Sequence, residues 1–400
     1  MPEQLPPVLN NILPSYSCIF AGNLPHLNFS GIDQTTGMAF SLKATVDTTQ
    51  TTLLSETIYP NALGNAVVKI RSVVEAFLQH QLPTSDDFLQ HQAAVILSVN
   101  WDDEPTYLLW VVKGMLDITT DPQTYDFETY FKQNLLTWMP YQRSVKKNEP
   151  LFVNYFNTGR GVTPPSRRLY MKYFYFTVVG LSASTEQAIY SIMSLDKLYT
   201  FNVSFEKLHS LISPAKENVF AIDVYVKDTA ANTVISSVHR FMLQDDFNEF
   251  DDVFAYSNSI GGFETIRFTG QLSEQENHNP NSYVDSDNQL IEFETTPERI
   301  YQKHTGYFDT EDARLWLREF FTSSFRFHVR YTASTVAYSR ISIIEAKPES
   351  IKHQINSLVF SFKYALQTAA QLFTRHSLRE IDLDDVIPYE SVIENNYSNE

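Results

Sequence analysis

Apolar and polar side chains change places at every second residue along much of this chain, a period that suits half-buried β-strands and does not suit helices. Between Asn218 and Lys227 one face carries Phe220, Ile222, Val224 and Val226, and the other carries Ala221, Asp223, Tyr225 and Lys227. Phe325, Phe327, Val329 and Tyr331 alternate with Arg326, His328 and Arg330 in the same way. Leu358, Phe360, Phe362 and Tyr364 repeat the pattern near the C-terminus, with Val359 blurring the polar side. Strands with one wet face belong to antiparallel sheets. The fold class expected is mainly β, as tandem antiparallel β-sandwich domains, Ig-like or jelly-roll-like, with a few short α-helices.

Turn chemistry places two hairpins. Ala93 to Val99 meets Thr106 to Lys113 across a cluster of turn formers, and Leu53 to Tyr59 is expected to meet Ala66 to Ile70 across Pro60 to Asn65. Val73, Val74, Phe77 and Leu78 then repeat at helical spacing, and Pro83 stops the segment. The clearest helix spans Glu311 to Thr322: Thr310 caps it, and Glu311 and Asp312 complement its N-terminal dipole. Scarce helical matter argues against βαβ units and therefore against a dinucleotide or P-loop fold.

Four hundred residues, 43% hydrophobic and 19% charged, leave room for two or three ordered domains. Two composition shifts suggest the limits. Thr137 to Pro150 is basic and proline-broken, and Gln244 to Asp252 is acidic. They divide the chain into 1–140, an N-terminal sandwich with a short helix; 141–246, a central sandwich; and 247–400, a β-rich block with the 311–322 helix and an acidic tail. Gln271 to Asn288 is polar without apolar periodicity and reads as a long exposed loop.

A net charge of -17 repels nucleic acid and anionic membranes, so neither is expected as a partner. Met1 to Pro14 lacks a basic segment and is broken by four prolines, which predicts neither a signal peptide nor a transit helix. Against this acidity stands one basic cluster, Arg143, Lys146, Lys147, Arg160, Arg167, Arg168 and Lys172, with Glu149 its sole acid. Its glycines and prolines around Arg160 suggest a loop. It either docks an acidic surface, such as the Glu380 to Glu400 tail of another copy, or merely offsets local charge. The candidate partner-binding residues are Arg143, Lys146, Lys147, Arg160, Arg167 and Arg168.

Signals for chemistry are weak. The single Cys18 excludes a disulfide framework and cysteine-rich metal sites, and the ten histidines fall in no ligand spacing. Asp245 to Asp252 gathers five carboxylates but lacks the glycine and glutamate of a calcium loop, so it reads as solvated linker; Asp285-Ser-Asp287-Asn288 is weaker still. Ser194 to Lys197 and Ser204 to Lys207 match Ser-x-x-Lys without its companion motifs. No catalytic, metal or cofactor residue is assigned, and no enzyme is expected. Aromatics make up 14% of the chain. Most belong to cores, while exposed rings such as Trp101 and Trp138 suggest the alternative of a carbohydrate-binding or adhesion protein.

One stretch, Tyr256-Ser-Asn-Ser-Ile-Gly-Gly-Phe-Glu-Thr265 followed by Ile266-Arg-Phe-Thr-Gly270, together with Glu56-Thr-Ile-Tyr-Pro60 and Gly64, resembles uncharacterised β-rich structural proteins of tailed bacteriophages of gut Bacteroidetes. The resemblance extends over most of the chain and carries no catalytic residue. It implies a virion component of the tail, ring or baseplate, folded in the host cytoplasm, with other virion proteins and copies of itself as partners in a homo-oligomeric ring. Read from the residues alone, Gly261-Gly262 makes a tight turn between Val253 to Ser257 and Phe263 to Thr269.

Overall fold

The computed structural model describes residues 7–10, 17–102, 104–159, 166–177, 180–192, 194–212, 218–244, 248–284, 287–308, 310–331, 336–346 and 357–365. In chain order the first block holds β1 (Val8–Leu9), β2 (Ser17–Phe20), β3 (Leu27–Ser30), β4 (Met38–Val46), β5 (Thr49–Ile58), β6 (Ala66–Val68), α1 (Arg71–Phe77), β7 (Asp87–Leu89), β8 (Ala94–Trp101), β9 (Tyr107–Val112) and α2 (Phe127–Gln133). The second holds β10 (Gln142–Lys146), β11 (Phe152–Asn157), β12 (Arg167–Phe176), β13 (Ser182–Ile192), β14 (Lys197–Asn202), α3 (Phe205–Leu211), β15 (Val219–Asp228), β16 (Thr233–Val234) and β17 (His239–Gln244). The third holds β18 (Asp252–Ser257), β19 (Phe263–Phe268), β20 (Leu272–Val284), β21 (Leu290–His304), α4 (Glu311–Thr322), β22 (Arg326–Tyr331), β23 (Val336–Ala346) and β24 (Val359–Tyr364).

The chain is mainly β and its sheets are largely antiparallel, as the alternation implied. Three large sheets run β2-β9-β8-β4-β5, β10-β17-β15-β12-β13 and β19-β18-β22-β23-β24-β21-β20. Two smaller ones, β1-β3-β6 and β11-β14-β7, lie beside them. Parallel pairing occurs at β2 with β9 and at β10 with β17, each time placing one strand at a sheet edge. Sheet membership follows the three blocks except at β7, which leaves the first block to pair with β14.

The β8–β9 hairpin forms where the turn residues indicate. The other expected hairpin does not. Strand β5 pairs with β4 through a tight turn at Asp47, whose φ is 52°, and β6 pairs instead with β3. Asp tolerates that left-handed conformation, so no glycine marks the turn in the sequence. α4 starts and ends where expected, with Thr310 Oγ1 accepting from the Ala313 N–H at 3.1 Å.

Burial does not follow the sheet boundaries. One apolar cluster fills the first block and takes in Phe156 and Leu198 from the second and Ile260 from the third. A second cluster joins Leu169, Met171, Val224 and Val226 under the central sheet to Phe254, Phe268, Trp316, Phe320, Phe360 and Phe362 of the third block. The central and C-terminal blocks therefore share one core.

The Gly261-Gly262 turn is part of the seam between blocks. Gly261 adopts φ 85°, and a Cβ there would run into the Lys113 carbonyl oxygen; a Cβ on Gly262 would meet the Leu136 carbonyl oxygen. Beside it the buried Glu264 carboxyl accepts from the Trp138 N–H and the Trp316 indole N–H, each at 2.9 Å, and from the Asn258 amide. Backbone obstacles cannot rotate away, so Gly262→Ala is expected to cost about 3 kcal/mol, at the upper end for overpacking. Its urea midpoint checks this, and an unchanged midpoint would show that the seam can open freely.

Candidate functional site

The basic residues singled out in the sequence do not form one patch. Arg143 is buried: its guanidinium donates to Glu149 at 2.7 Å and to the Thr265 carbonyl at 3.1 Å, and its Cζ lies 4.9 Å from the Trp316 ring centre. Arg167 is also buried and donates to Asn157 Oδ1 at 2.8 Å and to the Thr158 carbonyl at 2.6 Å. Both serve the interior, which corrects their reading as partner-binding residues and, for Arg167, as part of a loop. Strand alternation explains Arg167, since it shares the inward face of β12 with Leu169 and Met171. Lys146 is largely covered, 3.5 Å from Asp251, and Lys147 is half-buried beside it. Arg160 and the acidic tail lie outside the described residues. Arg168 is exposed.

Arg168 opens the outer face of the central sheet, an aromatic and cationic surface. Tyr170 stacks on Tyr225, with centroids 6.4 Å apart and planes 7° off parallel, and Phe176 stacks on Phe220 at 4.7 Å. Lys172 and Arg240 lie 5.3 and 4.8 Å from the Phe174 ring centre, and Lys227 lies 5.1 Å from that of Tyr170. Two acids offset part of this charge. Asp223 binds Arg240 through both oxygens, at 2.6 and 2.7 Å, and Glu186 accepts from Lys227 at 2.8 Å and from the Tyr225 hydroxyl. Those two hydrogen bonds hold the Glu186 carboxyl below its ordinary range despite partial burial. The alternation in β15 called for a wet face at Asp223, Tyr225 and Lys227, yet all three are buried, because long neighbouring side chains roof them. Phe220, expected in the core, sits outward beside a register shift at Phe174/Tyr175.

The most prominent surface feature is one the sequence reading took for a loop. Residues 271–288 do not form an open loop, since β20 occupies most of them and pairs with β21 from Leu272↔Lys303 to Val284↔Leu290. Beyond Tyr301, where β21 leaves β24, the two strands pair only with each other among the described residues, apart from the ion pair of Glu298 with Lys363 of β24, and the ribbon is about 35 Å long. Its described side chains are exposed or half-buried on both faces, so no apolar alternation was there to find. The usable signal was the Tyr283-Val284 and Leu290-Ile291 pairs flanking turn-forming residues. These four side chains crowd the tip, 50%, 58%, 72% and 37% exposed in chain order. The sequence between residues 273 and 300 is acidic, with seven carboxylates (Glu274, Glu276, Asp285, Asp287, Glu292, Glu294 and Glu298) against one base, Arg299.

Other candidates resolve into internal pairing. Asp251 lies 3.7 Å from Arg267, and Asp252 accepts from Lys303 at 2.5 Å, so the described part of the acidic run faces cations of its own chain. Asp245 and Asp246 lie outside the described residues. Lys197 and Lys207 of the Ser-x-x-Lys matches pair with Asp47 and Asp86. Trp101 is buried with its indole N–H on the Pro7 carbonyl, which removes it from any sugar platform, and Trp138 is half-buried with its indole on Ser259. Among the described residues, no helix is long and apolar enough to cross a membrane.

The class these features define is a multi-sheet β protein with a projecting hairpin arm. No family model matches the chain, and no curated protein matches it in sequence. Among solved structures, 56% of the chain is similar to the full extracellular region of plexin A4, at 10% identity and a TM-score of 0.17, spanning about a quarter (24%) of that protein's length. A further similarity, over 58% of the chain and 98% of the other, is to the calcium binding domain CBD12 of CALX1.1, at 6% identity and a TM-score of 0.15. Likenesses at that level carry no argument about this chain.

Proposed function

We propose that this chain is a non-enzymatic structural protein of a tailed-phage virion, assembling with copies of itself and with other virion proteins into a tail, ring or baseplate-type structure. The observation that carries the assembly reading is the arm. A two-stranded ribbon is marginally stable alone in water, and this one ends in four exposed apolar side chains, so a partner surface that covers it supplies what the free chain lacks. Its acidity suits the cationic, aromatic outer face of the central sheet on a neighbouring copy, and a head-to-tail contact of that kind builds a ring where its rotation closes and a filament where it does not. The virion setting rests on the sequence resemblance around Tyr256 to Gly270.

Replacing residues 278–297 by Asn-Gly tests this, because the new turn closes β20 on β21 at Asn277↔Glu298 without disturbing the base of the arm. Light scattering is expected to give a multimer for the full chain and a monomer of unchanged melting temperature for the shortened one. A full chain that stays monomeric at high concentration, or a shortened chain that assembles equally well, would overturn the reading. Arg168→Glu is the matching surface change. Arg167→Glu is unsuitable, since it would set a carboxylate against the Asn157 and Thr158 oxygens.

A further inference from the structure

Where the end of β10 meets the third sheet, the chain leaves an open cleft of about 920 Å³, within the usual range for small-ligand sites. One wall is Lys146 to Asn148 with the segment entering β18; the other is the surface of β21, β24 and β22 that carries Tyr301, Tyr364 and Arg330. We propose that this cleft binds an uncharged, hydroxyl-rich ligand, a segment of an oligosaccharide. Nothing in the assembly reading requires it.

Tyrosine positioning is the first support. Tyr301 is stacked on Phe362 with centroids 5.5 Å apart and planes 23° off parallel, and meets the Tyr364 ring edge to face at 4.9 Å. Tyr364 is fixed by a relay: its hydroxyl lies 2.6 Å from His328 Nδ1, and His328 Nε2 lies 3.2 Å from Asp252 Oδ1. A carboxylate only accepts, so Nε2 carries a hydrogen and the tyrosine closes the relay at the other ring nitrogen. Phe254 stacks under the imidazole at 4.9 Å, so the ring cannot tilt freely. The Tyr364 ring also has His328 nearly parallel at 6.0 Å and Arg330 5.8 Å from its centre, so the ring surface brought to the cleft is chiefly that of Tyr301, held in place by Tyr364, and it suits the apolar face of a sugar ring.

Charge balance is the second. Lys146, Lys147 and Arg330 line the cleft together with Glu249, Asp251, Asp252 and Glu274, so the two signs nearly balance and favour neither a polyanion nor a polycation. Asn148 and Gln244 add amides able to donate and accept. Asp252 and His328 bring further polar atoms to the lining, beside apolar surface from Val253, Leu272 and Val329.

The test uses the full chain and titration calorimetry against four neutral probes, maltohexaose, xylohexaose, mannohexaose and laminarihexaose, with a heparin hexasaccharide as the charged comparison. At least one neutral probe is expected to bind, with Tyr301→Ala weakening it about tenfold and Tyr364→Phe several-fold, while Trp138→Ala leaves it unchanged. Both tyrosine variants are read only with a melting transition like that of the parent. Failure of all four neutral probes at 10 mM would overturn the proposal, as would preference for heparin or binding indifferent to both tyrosines. The arm replacement leaves this cleft in place, so either idea can fail without the other.

Discussion

Glu149→Ala is expected to remove about 3–5 kcal/mol of stability, the range for breaking a buried ion pair by taking away one member. Glu149 is fully buried, accepting from Arg143 at 2.7 Å and from the Lys146 N–H at 3.1 Å, and it lies 3.6 Å from Arg267. Its loss strands the buried Arg143 guanidinium, which cannot swing to water because Thr265 and Trp316 hold it from the third block, while Arg267 keeps Asp251 at 3.7 Å. The damage should therefore reach the junction of the central and C-terminal blocks, and not only the turn after β10. A guanidinium chloride midpoint measures it. A loss below about 1 kcal/mol would mean that water reaches Arg143 and relieves it.

Acidification is the second large effect: between pH 7.5 and 5 the fold should lose about 4 kcal/mol, roughly half from each of two histidines. Burial, reinforced by nearby Lys113, holds His80 down to about 3. Burial likewise holds His239 down to about 4, with Arg143 adding to the effect and the Pro140 backbone opposing it. Both folded values lie below the unfolded value of 6.5, so the unfolded chain takes up protons first. Stability is fully present above about 6.5 and drains as pH falls towards the folded values. Glu264 works in the other direction: burial raises its carboxyl above the ordinary 4.5, so its contribution grows as pH falls through that raised value towards 4.5. Denaturant midpoints across this range test the slope. His80→Asn with His239→Asn should flatten it, and a flat profile in the parent would refute the assignment.

What could be read from the residues alone was whatever a local period encodes. β22, β24 and α4 appear where their patterns place them; β24 and α4 pack one face on a core and leave the other largely wet, while β22 keeps its period although His328 on its polar side is buried. β20 was invisible, since a ribbon exposed or half-buried on both faces shows no alternation. Arg143 and Arg167 were misread because a charged residue inside a basic run looks like surface; only a partner far along the chain, such as Thr265, or the inward phase of β12, reveals otherwise. Gly261 and Gly262 were legible as a turn but not as a seam, because the carbonyls they pass belong to Lys113 and Leu136. The Tyr364, His328 and Asp252 relay joins three strands that are scattered in sequence, and no motif spans that distance.

The shared core has a consequence for synthesis. When Gln244 leaves the ribosome, the underside of the central sheet still lacks Phe254, Trp316 and Phe362, and translation at roughly 5–20 residues per second needs on the order of ten seconds to deliver the last of them. During that wait the nascent strands expose bare hydrocarbon, so the cell's chaperones meet this chain half-finished, and its yield depends on how quickly the ribosome completes it.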